Sequence, residues 1–456
     1  MSMINIAWSG LQAAQLGMNV TSMNVANMLT PGYSRQGILQ SSVGPLGQGS
    51  LSPGSGVQVT GIRRIADQYL ISQVWQTNTK ANYFSTENQY ISALEKVIGT
   101  DSTSIGNGID EFVGALSALT QKPDDRALRQ QLLNQAGSLA QRFNSMNDFI
   151  RGQSKSVNTQ RGAIVDRVNT LSSGIADYNK KISDTEAIGG NASALRDQRD
   201  ELVKQMSSLM DVNVAEDGAG NLTIALRNGQ PLVSGKVAGQ LSVGQDQNGE
   251  HTLTLDFASG KYPVNPSAGG QLGALYDYET TILKQMREAV QGMAQSVAKL
   301  FNDQLGKGFD LNGNPGKPLF EFDPANPAGM LRVTDLQPEE LALSGVKGEA
   351  GNGDNLKTLI DLKNQKVEIA GLGSMSLSDG AASIISTIGI ASRKSKTELD
   401  AAASVYEQAQ TQRDNLSAVN QDEEAINLQV YMQAYQSNMK VIATGNQIFS
   451  DLLNMF

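Results

Sequence analysis

The sequence predicts a mainly α chain with one β insertion. The expected parts are paired terminal helices forming a coiled coil, a long-helix bundle body drawn from both halves of the chain, and one small outer β domain. Three observations carry this. Apolar residues recur at three- and four-residue spacing at both extremes of the chain, and the same period fills most of the interior. Between Asp211 and Pro266 that period gives way to short alternating runs separated by turn signals.

At the start, Ile4, Ala7, Leu11, Ala14, Met18, Thr21, Val25 and Met28 keep a heptad-like spacing, with mainly Asn, Gln, Ser and Gly between them. No Asp, Glu, Lys or Arg precedes Arg35. Pro31-Gly32 closes the element, because proline cannot continue a helix and glycine accepts turn geometry. "SSVGPLGQGSLSPGSG" (41–56) reads as a loop or irregular hairpin, and "GVQVTGIRRI" alternates like a strand. Residues 67–100 and 108–150 read as helical, the second stretch broken near Pro123. A long helix follows through Val157, Ile164, Val168, Leu171, Ile175, Tyr178 and Ile182; "IGGNAS" interrupts it and "LRDQRDELVKQMSSLM" resumes it.

The β insertion rests on "NLTIAL", "GQLSV" and "HTLTLDF", separated by "EDGAGN", "RNGQ" and "QNGE". Helical spacing returns at 271–305 through Leu275, Tyr278, Ile282, Met286, Val290, Met293, Val297, Leu300 and Leu305. Residues 306–380 are mixed loops and short elements, and 381–420 are helical again. The last helix keeps one register through Leu428, Met432, Tyr435, Met439, Ile442, Asn446, Phe449, Leu453 and Phe456, with a second stripe beside it. A helix apolar on two faces needs cover from two sides. Both terminal helices carry amides and hydroxyls where a solvated face usually carries Lys and Glu, so they suit pairing and then self-association.

Composition narrows the function. A net charge of -9 argues against nucleic acid. The absence of cysteine removes disulfide and thiolate chemistry, and a single histidine leaves little for His-based catalysis. No run approaches the ~18 apolar residues of a membrane span, and the first residues lack the basic start and apolar core of a secretory signal. "DLNGNPGKPLFE" (310–321) has oxygen ligands at calcium-loop spacing, but Pro315 stands where the loop needs glycine, so an Asn-Gly/Pro-Gly turn is the expectation. His251 reads as a hairpin-edge residue, and Glu339-Glu340 and Glu423-Glu424 as charges at helix starts. No catalytic set, cofactor site or metal site is expected.

"SGLQAAQLGMNVTSMNVANMLTPGYSRQ" (9–36), "GVQVTGIRRIADQYLISQ" (56–73) and "AVNQDEEAINLQVYMQAYQSNMKVIATGNQIFSDLLNMF" (418–456) resemble the shared blocks of the bacterial flagellar axial proteins: rod, hook and hook-associated subunits. The TPGYSRQ ending, "VNQDEEAINLQ", "LRDQRDELV" (195–203) and "NDQLGKGFDLNGNPGKPLF" (302–320) are most similar to the hook-associated branch, at the hook–filament junction. Ala418 and Gln421 depart from that pattern, and the region after Phe320 is short, without the additional outer domain of longer relatives.

The resemblance implies a structural, non-enzymatic subunit of an extracellular flagellum, exported unfolded by the flagellar type III apparatus without a cleavable signal. Its implied partners are copies of itself in a helical ring, the hook protein, a second junction protein, and an export chaperone on the C-terminal helix. It also implies terminal helices that pair as an inner-tube domain, line a channel and gain order on assembly. The corresponding division is 1–45 with 421–456 for the inner tube, 46–210 with 271–420 for the helical body, and 211–270 for the β insertion. The expected assembly residues are Leu11, Met18, Val25, Met432, Met439, Ile442, Phe449 and Leu453. The alternatives are another axial subunit (hook or distal rod), a secreted peptidoglycan hydrolase, and an adhesin using the β insertion.

Overall fold

The computed structural model describes residues 2–44, 54–101, 103–245, 251–258 and 260–455. The 45–53 part of the expected loop or irregular hairpin, the whole "QNGE" turn and Phe456 lie outside them. The chain runs α1 (Ser2–Ala26), β1 (Gln36–Val43), β2 (Gly56–Arg64), α2 (Gln68–Ile98), α3 (Ile105–Ala118), α4 (Arg126–Ala187) and α5 (Ser193–Leu209). Then come β3 (Val212–Glu216), β4 (Leu222–Leu226), β5 (Pro231–Ser234), β6 (Val237–Ala238), β7 (Gln240–Gln245), β8 (His251–Phe257) and β9 (Gly260–Val264). The remainder is α6 (Gly270–Asp277), α7 (Lys284–Leu305), β10 (Phe320–Phe322), β11 (Leu331–Val333), α8 (Asp354–Asp361), β12 (Val367–Ile369), β13 (Gly373–Met375), α9 (Leu377–Ser417) and α10 (Gln421–Asn454). The architecture is mainly α with a β insertion.

Two compact units divide the chain. The first comprises Met1–Asn82, Ile164–Gly270 and Ala402–Phe456. In it α1 and α10 lie antiparallel, the β1–β2 hairpin packs on α1, and the insertion forms two antiparallel sheets, β3-β4-β5-β6 and β7-β8-β9. Of the stretch read as a loop or irregular hairpin, Ser41–Val43 pair with Gly56–Gln58 as the end of that hairpin, whose register shifts between Leu39 and Gln40. The core of the insertion follows strand alternation: Leu222, Ile224 and Leu226 are buried on one face of β4.

The second unit comprises Tyr83–Ala163 and Gln271–Ala401. Phe112 of α3 packs edge-on against Phe301 of α7 and Phe320 of β10, at 5.0 and 5.8 Å between ring centres. Pro123 breaks the expected 108–150 helix, and Asp125 restarts it by accepting the Ala127 and Leu128 N–H groups. A π turn at Tyr278–Leu283 joins α6 to α7. Its extra residue rotates the buried face, so Leu283 takes the core position that regular spacing assigns to Ile282. Asp277, just before the turn, accepts Tyr83 Oη at 2.8 Å, and within it Glu279 pairs with the buried Arg161.

A recurring device ties helices to strands. A side-chain amide has the donor and acceptor of a peptide group, so an asparagine aimed at a strand edge substitutes for a neighbouring strand. Asn179 of α4 donates to Leu222 O at 2.8 Å and accepts from Leu222 N at 3.0 Å. Asn169 holds Leu241 in the same way, at 2.9 and 2.7 Å. In the second unit Asn144 clamps Leu331 and Asn302 clamps Leu319–Phe320.

Candidate functional site

The terminal pair meets along a stripe of seven-residue spacing on α10, matched on α1 by steps of seven, seven and six. Going down α1 and up α10, Asn24 meets Glu424, Gly17 meets Tyr431, Gly10 meets Asn438, and Ile4 meets Gly445. Each large side chain faces a glycine or a complementary amide. A methyl group added at Gly17 would sit 2.6 Å from the Tyr431 ring, and one at Gly10 would sit 2.8 Å from the Asn438 amide.

This stripe differs from the predicted seam. Leu11 is buried with Ala7 and Ala14, Met18 and Ile442 are half-buried, and Val25 has rotated out to the surface. A straight helix drifts by about 20° per heptad, so a seam buried at Ala7 turns outward two or three heptads later. Met432, Met439, Phe449 and Leu453 stay open, the last two 59% and 60% exposed. Val430 and Ile426 are open as well, on the other side of the contact stripe from Met432 and Met439, so α10 carries uncovered apolar surface on both sides of its contact with α1.

At the base of the pair is a buried polar clasp. Thr30-Pro31-Gly32-Tyr33 is a tight turn, closed by Tyr33 N to Thr30 O at 3.2 Å, with Gly32 at φ +78° where only glycine is unstrained. That turn sends the chain back over Asn24, which is 1% exposed. The Asn24 amide donates to Gln36 O at 2.9 Å and to Glu424 Oε1 at 3.1 Å. Its Oδ1 accepts Gln36 N and Tyr33 Oη, both at 2.9 Å. Glu424 is 3% exposed in the first turn of α10, where the helix dipole favours a carboxylate and Asn420 caps the end. Arg35 pairs with Glu423 at 2.6 Å and donates its N–H to Ser417 O at 2.8 Å.

The third side of the clasp comes from α5 and β2. Asp197 accepts Ser34 N at 3.0 Å, and Arg64 bridges Asp197 and Asp200 at 3.0 and 2.6 Å. Burial pushes the Asp197 carboxyl above its ordinary pKa, and the Ser34 N–H and Arg64 only partly offset it. Burial also works against the Arg64 cation, but the two carboxylates outweigh it and keep its pKa high. The Tyr33 phenol is pushed up to about 12, first by burial and then by the nearby Asp197 and Glu424 charges. TPGYSRQ, VNQDEEAINLQ and LRDQRDELV, singled out in the sequence for resemblance, therefore converge in space. The individual roles of Asn24, Tyr33, Asp197 and Glu424 were not legible there.

The other candidates have structural work. Asp310 accepts the N–H groups of Asn312 and Asn314 at 2.8 and 2.7 Å, while Glu321 faces Arg332 across a hairpin. Glu340 caps its own turn through Gln337 N, and His251 opens β8. Among the described residues no cluster of His, Cys, Asp and Glu is arranged to hold a metal, and no helix is long and apolar enough to cross a membrane.

Comparison with known proteins decides the family. The sequence model described as flagellar hook-associated protein FlgK helical domain matches residues 91–320, just over half of the chain. The chain belongs to the flagellar hook-associated protein FlgK family. A second model, flagella basal body rod protein, matches residues 4–33, the α1 segment and its closing turn. FlgK-family relatives named flagellar hook-associated protein 1 are similar over all or nearly all of their lengths. That of Escherichia coli K12 is 27% identical, with all of both chains covered. That of Bacillus subtilis 168 is 24% identical, with 99% of this chain and 97% of the relative covered. The solved flagellar hook junction protein FlgK from Burkholderia pseudomallei shares the fold at a TM-score of 0.67 and 16% identity, covering 75% of this chain and 99% of that one.

Proposed function

We propose that this chain is a non-enzymatic structural subunit that joins flagellar hook to filament by helical self-assembly. The observation that carries the reading is the terminal pair: α1 and α10 are locked by size-matched residues and a buried clasp, while α10 keeps a bare apolar face on either side of that contact. Such a face suits cover by neighbouring copies, since apolar surface of this extent is costly to leave in water. Family membership and the relatives' names support placing that assembly at the junction.

In this reading residues 1–45 and 421–456 form the inner tube, 46–210 and 271–420 the helical body, and 211–270 the outer β domain. Leu11, Met18, Val25, Met432, Met439, Ile442, Phe449 and Leu453 form or support contacts within a ring of copies. The hook protein lies below and a second junction protein above. The chain reaches the cell exterior unfolded, through the flagellar type III apparatus, with its C-terminal helix held by a chaperone until export.

The test is co-sedimentation with isolated hooks, comparing the full chain with one lacking residues 1–40 and 421–456. Only the full chain should pellet and cap hook ends in electron micrographs. Failure of both forms to bind overturns the junction assignment, and equal binding by the truncated form overturns the terminal mechanism. Digestion of cell wall by the purified protein would remove the non-enzyme reading.

A further inference from the structure

Four Asn-Gly pairs lie within the described residues, and their glycine N–H groups differ in one respect. Gly108, Gly229 and Gly313 donate to the backbone oxygens of Ser104, Leu226 and Asp310, at 3.1, 2.8 and 3.1 Å. Gly353, the residue before α8, has no acceptor among the described residues. The side chain before it is held in an unusual way. Asn352 Oδ1 accepts two backbone N–H groups, Gly345 N at 3.0 Å and Asp354 N at 3.1 Å. Its Nδ2 donates to Glu349 and Asp354 carboxylates at 3.4 and 3.2 Å.

From this we infer that Asn352-Gly353 is a self-modification site, at which the chain converts Asn352 to aspartate and isoaspartate. The Gly353 amide nitrogen gives its proton to solvent base and attacks Cγ of Asn352, forming a C–N bond. The negative charge of the tetrahedral intermediate falls on Oδ1, where two N–H donors already point, the arrangement that stabilises an oxyanion. The Cγ–Nδ2 bond then breaks, and Nδ2 takes up a proton and leaves as ammonia. Water opens the resulting succinimide at either carbonyl, so no oxidant or cofactor is needed. At Asn228 and Asn312 the same attack must first break the glycine hydrogen bond.

The product alters a joint in the fold. A carboxylate at 352 faces those of Glu349 and Asp354 in place of a donor to both. The isoaspartyl form also lengthens the backbone just before α8, whose Asn355 and Leu356 anchor Ala342 and Leu343 at 2.6 and 3.1 Å. The site thus acts as a slow clock that loosens the α8 anchorage with age.

The test is peptide mass spectrometry with isoaspartate quantification on the native full chain incubated at neutral pH, beside the same chain in urea. In the folded chain Asn352 should convert about tenfold faster than Asn228 or Asn312, the factor one broken hydrogen bond of ~1.4 kcal/mol commands. In urea the three sites should converge. Gly353→Ala, whose methyl group would meet only Pro123 Cγ at 3.5 Å, should fold normally and slow conversion at 352 alone. Equal rates at the three sites in the folded chain, or an unchanged rate in Gly353→Ala, would overturn the inference.

Discussion

Removing the Asn24 side chain tests the clasp most directly. Asn24→Ala withdraws the acceptor of Gln36 N and the donor to Glu424, and both partners stay buried, Gln36 at 4% and Glu424 at 3% exposure. Each orphaned buried group costs about 1–3 kcal/mol. The Tyr33 hydroxyl is half-buried and finds water, so it adds little. A total near ~3 kcal/mol raises the open fraction of the clasp by about a hundredfold, at tenfold per 1.4 kcal/mol. Arg35 offers a local reporter, because its N–H and guanidinium are tied to Ser417 and Glu423 only while the clasp is closed. The initial rate of tryptic cleavage after Arg35 follows the open fraction when reclosing is fast. Asn24→Asp should be at least as damaging at neutral pH, since it sets a second carboxylate about 3.1 Å from Glu424, and acidification should partly restore it. A cleavage rate within a fewfold of the native chain in both variants would refute the account.

Other expectations follow from the same geometry. Gly17→Ala should weaken the terminal pair by about 1–2 kcal/mol, overpacking against Tyr431 outweighing the helix propensity gained; hydrogen exchange across α1 and α10 reads the loss. Tyr33 ionises near 12 when folded and near 10 when unfolded, so the fold keeps its contribution below 10 and loses it as pH rises toward 12. After discount for solvent screening that share is about 1 kcal/mol. In tyrosinate absorbance, the difference between native chain and Tyr33→Phe should titrate near 12 rather than 10. Asn179→Leu should cost about 3 kcal/mol in denaturant unfolding of the insertion, since it strands Leu222 N and Leu222 O in the core and takes one acceptor from the Arg199 guanidinium, which keeps Gly220 O.

Much of the fold was legible because helices and strands write different periods into a sequence. Pro123 and the "IGGNAS" interruption marked helix ends, and the alternation in "NLTIAL" gave β4. The failures share a cause: apolar spacing records what wants to be buried, not what buries it. The α10 stripe of Glu424, Tyr431, Asn438 and Gly445 is a perfect heptad that a search for oily residues passes over. The π turn moved the core position from Ile282 to Leu283 by one added residue that no propensity signals. Asparagine clamps left no trace either, because an amide reads as surface until the strand it completes is known. In the candidate site the motif blocks were visible as text, but Asn24 and Glu424 are 400 positions apart, and no local rule joins them.

That separation governs the order of folding. Closing a loop of some 400 residues costs roughly 5 kcal/mol of chain entropy if the intervening segment is loose, and far less once it has folded. The α1–α10 seam is therefore the last contact to be rewarded, after the elements between have shortened the path from one end to the other. It closes only on a chain whose interior has folded and whose Glu424 is still present. The seam is thus a check on completeness: a copy truncated before Glu424 lacks half of the matched pair, and one misfolded between its ends pays the full closure entropy to form it.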